Sequence, residues 1–306
     1  MHPNPVIEPI PYLSNNIIAI EVLRLDQIHP VISGNKWYKL RYYIKEAMDL
    51  NAKTIASFGG PYSNHLVALA YAAQINGLNS IGYVRSNEGE PITKSLQEAV
   101  SYGMQLIHLG RTSFQEKKKE ILSKNANGQQ ETFFIDEGGY GTLGAKGAST
   151  IILDWDQSNN TKTLIENPIH AYDYIISAVG TGTMIAGIMN AASPRQNIIG
   201  IPVLKNEGSI KNEILNLLAN KDSKFELLHD FHQGGYAKTT PLQIEFMNRL
   251  WDHTKIPTDI VYTSKVFYAV EQLMQQSYFK PDSKVLIIHS GGLHGNRSLA
   301  GGVLKY

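Results

Sequence analysis

Short apolar runs of strand length alternate along the chain with longer segments in which apolar residues recur at helical spacing. Several of the short runs are apolar nearly throughout, which is typical of strands covered on both faces of a parallel sheet. The strands predicted in this way are residues 54–58, 80–84, 105–109, 132–135, 174–179, 198–203 and 284–289. The helices predicted between them are residues 64–76, 92–102, 183–192, 210–219, 242–251 and 265–276. This alternation predicts an α/β fold with mostly parallel strands joined by crossover helices.

The length of 306 residues is enough for about two domains. The polar segment 156–162 is the most linker-like part of the chain, and a second seam lies near residues 30–34. We therefore predict a larger domain built from residues 1–34 and 151–306, with a smaller domain of residues 35–150 inserted into it. The alternative is a single large sheet in which the polar segment is only a surface loop.

Composition and charge exclude several classes of function. Lysine plus arginine (28) nearly balances aspartate plus glutamate (27) without long runs of one sign, so we expect neither a nucleic-acid groove nor a membrane surface site. The absence of cysteine excludes disulfides and thiol nucleophiles, and it fits a reducing cytoplasm. No secretory signal is recognised at the N-terminus. The uncharged stretch 174–194 contains a Gly-Thr-Gly-Thr turn, which favours a strand, a turn and a helix over a membrane span. We expect a cytoplasmic protein.

The first candidate for chemistry is a lysine at the start of an early helix. Ligands of open parallel sheets bind where strands turn into helices. A helix is predicted to begin near Lys36, with Asn35 as its N-cap. Lys36 in the first turn opposes the helix dipole, and Lys39 adds a like charge one turn later. Both effects favour the neutral amine that a Schiff-base lysine needs, although a solvated lysine at a helix end is the better explanation of this segment taken alone.

Two glycine-containing turns are candidates for binding anions. In the Gly-Gly-Pro-Tyr-Ser-Asn-His turn, Ser63 and Asn64 can cap the next helix or face a ligand. The turn at Gly180 and Gly182 opens another helix, and its N–H and threonine hydroxyl groups suit a phosphate. A dinucleotide fingerprint would need a third glycine where the chain has Ile185, so a monophosphate fits better.

Another candidate turn follows the last predicted strand. There Ser290 precedes two glycines, and its hydroxyl can approach a bound ring. The ten histidines form neither an H-E-x-x-H motif nor a compact ligand triad, so no metal site is predicted. A nucleophile elbow of the G-x-S-x-G type is also absent. The lysine, the monophosphate turn and the hydroxyl-bearing turns together indicate pyridoxal 5′-phosphate as the cofactor, with the protein holding its phosphate and ring.

From about Gly34 to Gly292, these motifs resemble those of the 1-aminocyclopropane-1-carboxylate deaminase and D-cysteine desulfhydrase family, which uses pyridoxal phosphate on fold type II. The resemblance implies two three-layer α/β domains with the active site between them, a small amino-acid substrate and a homodimer. It implies that the cofactor is bound by Lys36, Asn64, Gly180, Thr181, Gly182, Thr183 and Ser290. It implies that the substrate is bound by Ser63, Asn64, His65, Tyr236 and Thr263. The catalytic residues that it implies are Lys36, Ser63, Tyr262 and Tyr236.

The departures from this family bear on the substrate. Thr263 stands where the family's deaminases carry a glutamate, and Ser290 stands where they tend to carry an apolar residue. Both favour α,β-elimination of the D-cysteine desulfhydrase type, which gives pyruvate, ammonia and sulfide. The alternative is deamination of 1-aminocyclopropane-1-carboxylate to 2-oxobutyrate and ammonia, in which Tyr262 would need a lowered pKa to begin ring opening. Tyr38 also replaces the usual arginine of the lysine motif.

Two other classes of function stay open from the sequence. A nucleotide-dependent oxidoreductase would place a dinucleotide at the Gly180 turn, where the fingerprint is incomplete. A non-catalytic binding protein on the same fold would be expected to have lost Lys36, Ser63 or Tyr262, and all three are present.

Overall fold

A computed structural model of the chain describes residues 5–87, 89–124, 131–154, 167–205 and 208–306. The strands are β1 (Val6–Pro9), β2 (Ala19–Arg24), β3 (Thr54–Gly59), β4 (Asn79–Arg85), β5 (Met104–Leu109), β6 (Thr132–Phe134), β7 (Tyr174–Val179), β8 (Asn197–Pro202), β9 (Glu226–Leu227) and β10 (Lys284–His289). The helices are α1 (Asn35–Asp49), α2 (Asn64–Ile75), α3 (Lys94–Ser101), α4 (Arg111–Lys124), α5 (Thr142–Leu153), α6 (Thr183–Ala191), α7 (Ile210–Leu217), α8 (Pro241–Thr254) and α9 (Thr263–Gln275).

The described strands form two separate sheets. The larger has the order β1-β2-β10-β7-β8-β9, and the smaller has the order β5-β4-β3-β6. Only β1 and β2 pair antiparallel among these strands, and all the other pairs are parallel. Each of the seven predicted strands is present with bounds that agree to within one residue. The α/β fold with mostly parallel sheets is therefore confirmed.

Apolar side chains cover both faces of the larger sheet, as the unbroken apolar runs predict. Along β10, Val285 and Ile287 pack into the cluster formed with α8 and α9. Leu286 and Ile288, which point to the opposite face, pack with α5, α6 and α7. The alternation follows from the two-residue period of a strand, and it gives three layers with a core on each side of the sheet.

Helix α5 packs directly between α1 and α6, although the sequence pattern did not predict it. Its segment Gly-Ala-Lys-Gly-Ala-Ser is rich in small residues and contains two glycines, which are poor helix formers. Small residues are needed because the helices approach closely: a Cβ on Gly147 would lie 2.1 Å from the carbonyl oxygen of Tyr38. Likewise, a Cβ on Gly187 of α6 would lie 2.4 Å from the carbonyl oxygen of Ala145. These crossings fix the start of α1 relative to α6.

The sequence pattern also failed to predict α4 and the strands β1, β2 and β9. Helix α4 has the sequence RTSFQEKKKEILSK, in which apolar residues are few and Phe114 and Ile121 are buried, so the helical period is weak. The predicted linker at 156–162 lies outside the described residues, and the domain boundaries at 34/35 and 150/151 remain a prediction. None of the helices in the described ranges has the length and apolar character needed to span a membrane.

Candidate active site

A cleft lies where the connections of the two sheets meet. It has a volume of about 570 Å³, including the part that is open to solvent. Seven of the predicted site residues line it: Lys36, Asn64, Gly180, Thr181, Gly182, Tyr262 and Ser290. The other predicted site residues, which do not line it, are Ser63, His65, Thr183, Tyr236 and Thr263.

Lys36 reaches the cleft from the first turn of α1. The N-cap of this helix is Gly34 (φ 67°) rather than Asn35, which is its first residue, so the predicted cap was wrong by one position. The Asn35 backbone N–H donates to the carbonyl of Ser290 at 3.0 Å, and this bond ties the helix start to the end of β10. The Asn35 side chain instead accepts a hydrogen bond from Lys36 Nζ at 2.8 Å.

Burial lowers the pKa of Lys36 to about 8, and the carboxylate of Asp259 opposes the shift. Burial also holds the pKa of Lys39 well below its ordinary value, with the charge of Lys36 adding to the effect. The pKa of Lys36 is thus lowered, as expected. The main cause is desolvation, however, whereas the sequence pattern pointed to the helix dipole and to like charge.

The Gly180 turn presents hydrogen-bond donors at the start of α6. The hydroxyls of Thr181 and Thr183 lie 3.0 Å apart, and the first N–H groups of a helix have no partner within it. Lys39 is a further cleft residue that sequence reasoning did not assign to the site. Its Nζ donates to the carbonyl of Gly138 at 2.5 Å. A Cβ on Gly138 would lie 3.1 Å from Thr181 Cγ2, so the Lys39 amine is bound next to the same turn.

The turn after β3 gives its residues different tasks. Ser63 is the N-cap of α2, and its Oγ accepts a hydrogen bond from Leu66 N at 3.2 Å. Asn64 lines the cleft, where its Oδ1 accepts from His294 N at 3.2 Å. The N–H groups of Asn64 and His65 lie in the first turn of α2, where a ligand carboxylate can accept from them.

The His65 side chain is buried and hydrogen-bonds Ser57, with 2.8 Å between Nε2 and Oγ. Burial keeps its pKa well below the ordinary value, and the charges of Lys36 and Lys39 add to this effect, so the ring is neutral. The predicted contact of His65 with substrate stays a prediction.

Tyr262 closes one side of the cleft, and its ring lies against the Gly180 turn: a Cβ on Gly180 would be 3.1 Å from Tyr262 Cε1. The rings of Tyr236 and Tyr262 meet edge to face, with 6.1 Å between their centroids. Burial raises the pKa of Tyr262 well above its ordinary value, and Tyr236 adds to the shift. This is the opposite of the lowered pKa that ring opening was expected to need.

Thr263 does not face the cleft. Its hydroxyl donates to Asp259 Oδ1 at 2.8 Å and accepts from the Asp259 backbone N–H at 2.7 Å. Asp259, which sequence reasoning missed, is fully buried and also accepts hydrogen bonds from the backbone N–H groups of Val261 and Tyr262. Position 263 thus holds the turn that carries Tyr262. A direct contact between Thr263 and substrate remains a prediction that this geometry does not support.

Ser290 lines the cleft at the end of β10 and is 7% exposed. The preceding His289 is fixed from behind by a 2.7 Å hydrogen bond from Nε2 to the carbonyl of Pro257. The cleft therefore offers a hydroxyl, not a carboxylate, at the position predicted to meet the ring of the cofactor. Within the described ranges, no group of three or more metal-ligating side chains comes together.

These residues fit pyridoxal phosphate by their own chemistry. A partly buried amine of lowered pKa can form the Schiff base, and a helix N-terminus with two threonine hydroxyls and a lysine can bind a dianionic phosphate. Ile185, where a dinucleotide fingerprint needs glycine, is fully buried in the core. The arrangement therefore suits a monophosphate cofactor better than a dinucleotide.

Comparison with known proteins decides the family. The family model described as "Pyridoxal-phosphate dependent enzyme" matches residues 3–291. The chain belongs to this family. It is 28% identical over 292 residues to a putative 1-aminocyclopropane-1-carboxylate deaminase of Thermotoga maritima, covering 90% of this chain and 89% of the relative. It is 26% identical over 286 residues to a bifunctional D-cysteine desulfhydrase/1-aminocyclopropane-1-carboxylate deaminase of Arabidopsis thaliana, covering 86% and 70%.

A solved structure described as an ACC deaminase homologue has the same fold, with a TM-score of 0.81 at 24% identity over 96% of this chain and 90% of that chain. The resemblance inferred from the motifs is confirmed by these comparisons, as are the cofactor and the fold class. As a pyridoxal-phosphate-dependent enzyme, the protein is not the nucleotide-dependent oxidoreductase considered as an alternative.

Proposed function

We propose that this pyridoxal-phosphate-dependent enzyme catalyses α,β-elimination from a small amino acid, with D-cysteine as the reference substrate. One molecule each of D-cysteine and water would give one each of pyruvate, ammonia and hydrogen sulfide, which balances all atoms. The proposal combines the chemistry of the cleft with the names of the relatives, among which both desulfhydrase and deaminase occur.

The residues that would hold the cofactor come from three separate connections. The N-terminus of α6 with Thr181 and Thr183 would bind the phosphate. The negative charge of the phosphate would favour the protonated form of Lys39, which burial alone disfavours. Ser290 would face the ring nitrogen and Asn64 the ring oxygen. Bound there, the cofactor supplies the electron sink that stabilises negative charge at the substrate Cα. A hydroxyl at the ring nitrogen does not hold a proton there as a carboxylate would, and this favours elimination over transamination.

The observation that carries the proposal is the contrast between two candidate bases in one cleft. The pKa of Lys36 is lowered to about 8, whereas the pKa of Tyr262 is raised well above its ordinary value. Near neutral pH the amine is therefore the better proton acceptor, and removal of a Cα proton by Lys36 suits an elimination. The Tyr236–Tyr262 pair would stand ready as hydroxyl donors near the departing thiolate.

The substrate carboxylate would be bound at the N-terminus of α2. Ser63 Oγ and the N–H groups of Asn64 and His65 belong to this helix start, and the positive end of the helix dipole favours an anion. The neutral His65 ring and the Ser57 hydroxyl support this turn from behind.

The second candidate function is deamination of 1-aminocyclopropane-1-carboxylate, which the name of the Thermotoga maritima relative favours. That substrate has no Cα proton, so Tyr262 would have to act as the base or nucleophile. The pKa of Tyr262 is raised, which opposes this role. The next residue is Thr263, whose hydroxyl donates to Asp259, and not the glutamate of the family's deaminases. We therefore rank this reaction second.

The test measures pyruvate and sulfide from D-cysteine, L-cysteine and β-chloro-D-alanine (sulfide from the cysteines only), and 2-oxobutyrate from the cyclopropane amino acid. Lys36→Ala serves as the control and should remove both the turnover and the visible absorbance of the lysine-bound cofactor. Pyruvate from D-cysteine at a higher kcat/KM than 2-oxobutyrate is the expected result. A clear preference for the cyclopropane substrate would establish the second function, and cofactor binding without turnover of any of these substrates would refute both proposed reactions.

We also propose a cytoplasmic homodimer, from the family resemblance and the absence of cysteine. Light scattering of the purified holoenzyme should give twice the mass of the 34.0 kDa chain. A monomer mass at micromolar concentration would refute the dimer.

A further inference from the structure

A lysine without a role in the proposed chemistry lies inside the protein next to the active site. Lys265 is 0% exposed and belongs to α9, one turn after Tyr262. Its Nζ donates to the carbonyl of Gly235 at 2.7 Å. Burial lowers its pKa to about 8, and the carboxylate of Asp259 opposes the shift. A lysine is rarely buried to this extent unless its amine has partners that compensate for the loss of water.

The carbonyl that it binds belongs to a strained loop. Gln233, Gly234, Gly235 and Ala237 all have positive φ, at 50°, 88°, 111° and 53°. For Gln233 and Ala237, which carry side chains, such conformations cost about 1–2 kcal/mol each. They persist only where the surrounding structure holds them.

The backbone hydrogen bonds of Gly234 and Gly235 to other described residues otherwise stay local. Gly234 N donates to His232 Nδ1 at 3.0 Å, and Gly235 N donates to the carbonyl of His232 at 3.0 Å. The carbonyl of Gly235 also accepts from Lys238 N at 3.2 Å. The bond from Lys265 therefore connects this part of the loop to α9.

Tyr236 directly follows the bound carbonyl. The residue is 45% exposed, yet its ring packs edge to face against the ring of Tyr262. Tyr262 is itself held at the N-terminus of α9 by Asp259. One helix thus fixes both members of the tyrosine pair, one through its first turn and the other through the Lys265 amine.

We propose that Lys265 is a positioning residue that fixes Tyr236 against Tyr262 by holding the carbonyl of Gly235. The inference rests on the proposed function only in assigning Tyr236 a part in the reaction. The restraint of the loop by the hydrogen bond from Lys265 to Gly235, here called the clamp, does not depend on the proposed function.

The test is a double-mutant cycle in the holoenzyme. Lys265→Met keeps the length and apolar stem of the side chain and removes the donor. It should lower kcat/KM on the best elimination substrate by about ten- to a hundredfold, because small displacements of reacting groups have effects of this size. In a Tyr236→Phe background, the same substitution should change kcat/KM by less than about twofold, because the group it positions is already gone. Lys238→Met, which replaces an exposed lysine of the same loop, is the matched control and should leave kcat/KM unchanged.

Equal losses from Lys265→Met in both backgrounds would mean that the lysine acts on general stability, and they would overturn the proposal. If Lys265→Met does not fold, Gly235→Ala perturbs the same loop without changing the lysine, since its φ of 111° strains any side chain. Its effect should likewise vanish in the Tyr236→Phe background, and additive losses would again overturn the proposal.

Hydrogen exchange gives a readout that does not depend on turnover. The amides of 233–237 should exchange at least about tenfold faster in Lys265→Met than in Lys238→Met, and unchanged exchange would refute the clamp. A wild-type protein that shows no turnover would refute the proposed function alone, and the exchange measurement would still decide whether Lys265 holds the loop.

Discussion

Replacement of Gly34 by alanine tests whether the lysine-bearing helix and the end of β10 must lie at a fixed separation. Gly34 has a φ of +67°, and a Cβ placed on it would lie 1.8 Å from the carbonyl oxygen of Ser290 and 2.7 Å from Cα of Gly291. Real Cβ contacts essentially never fall below 3.0 Å, so the two backbones must separate by at least about 1.2 Å, the difference between 3.0 Å and 1.8 Å. Neither contact atom belongs to a side chain that could rotate away.

The expected cost has two parts. A left-handed conformation costs an alanine about 1–2 kcal/mol, and forcing extra volume into a packed site costs typically about 1–3 kcal/mol. Gly77→Ala is a matched control, because Gly77 has a φ of +71° and a Cβ there would meet no other atom within 4 Å. It should show the conformational cost alone. The difference between the two variants, about 1–3 kcal/mol, measures the clash.

Urea unfolding of both apoproteins gives the stability difference, and the visible absorbance of added pyridoxal phosphate reports capture by Lys36. Gly34→Ala should lose more stability than Gly77→Ala and should bind cofactor more weakly, since Lys36 and Ser290 move apart. Equal losses of stability, together with wild-type cofactor binding by Gly34→Ala, would refute the argument that this contact sets the site.

Three further predictions follow from the buried charges and the helix caps. Cofactor capture by the apoprotein needs neutral Lys36, so its rate should rise about tenfold per pH unit below a midpoint near 8 and then level off. An inflection near 10.5 in stopped-flow absorbance would contradict this. Asp259→Asn should lower the free energy of unfolding by about 1.5–3 kcal/mol and should shift that midpoint downward, because Asp259 raises the pKa of Lys36. Ser63→Ala and Thr93→Ala each remove an N-cap oxygen and should each lose about 1 kcal/mol in urea unfolding, but only Ser63→Ala should raise KM. Equal KM values would exclude Ser63 from the substrate site.

The residues that the sequence identified are those whose local pattern carries their chemistry. The Gly180 turn could be predicted because a buried apolar strand, glycines and hydroxyls follow one another within a few positions. Lys36 could be proposed because it begins a periodic helix next to polar turn residues. Seven predicted site residues consequently line one cleft.

The residues that sequence reasoning missed act through contacts between distant segments. Asp259 and Lys265 have no local pattern that distinguishes them from exposed charges, and only the folded chain buries them. The sequence predicted the lowered pKa of Lys36 from the helix dipole and the charge of Lys39, but its main cause in the structure is burial. The dipole and a neighbouring charge can be read along one helix, whereas desolvation depends on everything packed around it.

Backbone contacts between helices set the distance between the Lys36 amine and the Gly180 turn. Gly147 of α5 lies against the carbonyl of Tyr38 in α1, and Gly187 of α6 lies against the carbonyl of Ala145 in α5. A chain of two close helix crossings thus connects the turn after Lys36 to the helix that begins at the phosphate turn. Both contact atoms are backbone carbonyl oxygens within helices, which cannot rotate away as a side chain could. An added methyl group at either glycine would therefore have to move a helix. Changes at Gly147 or Gly187, neither of which lines the cleft, should consequently weaken cofactor binding.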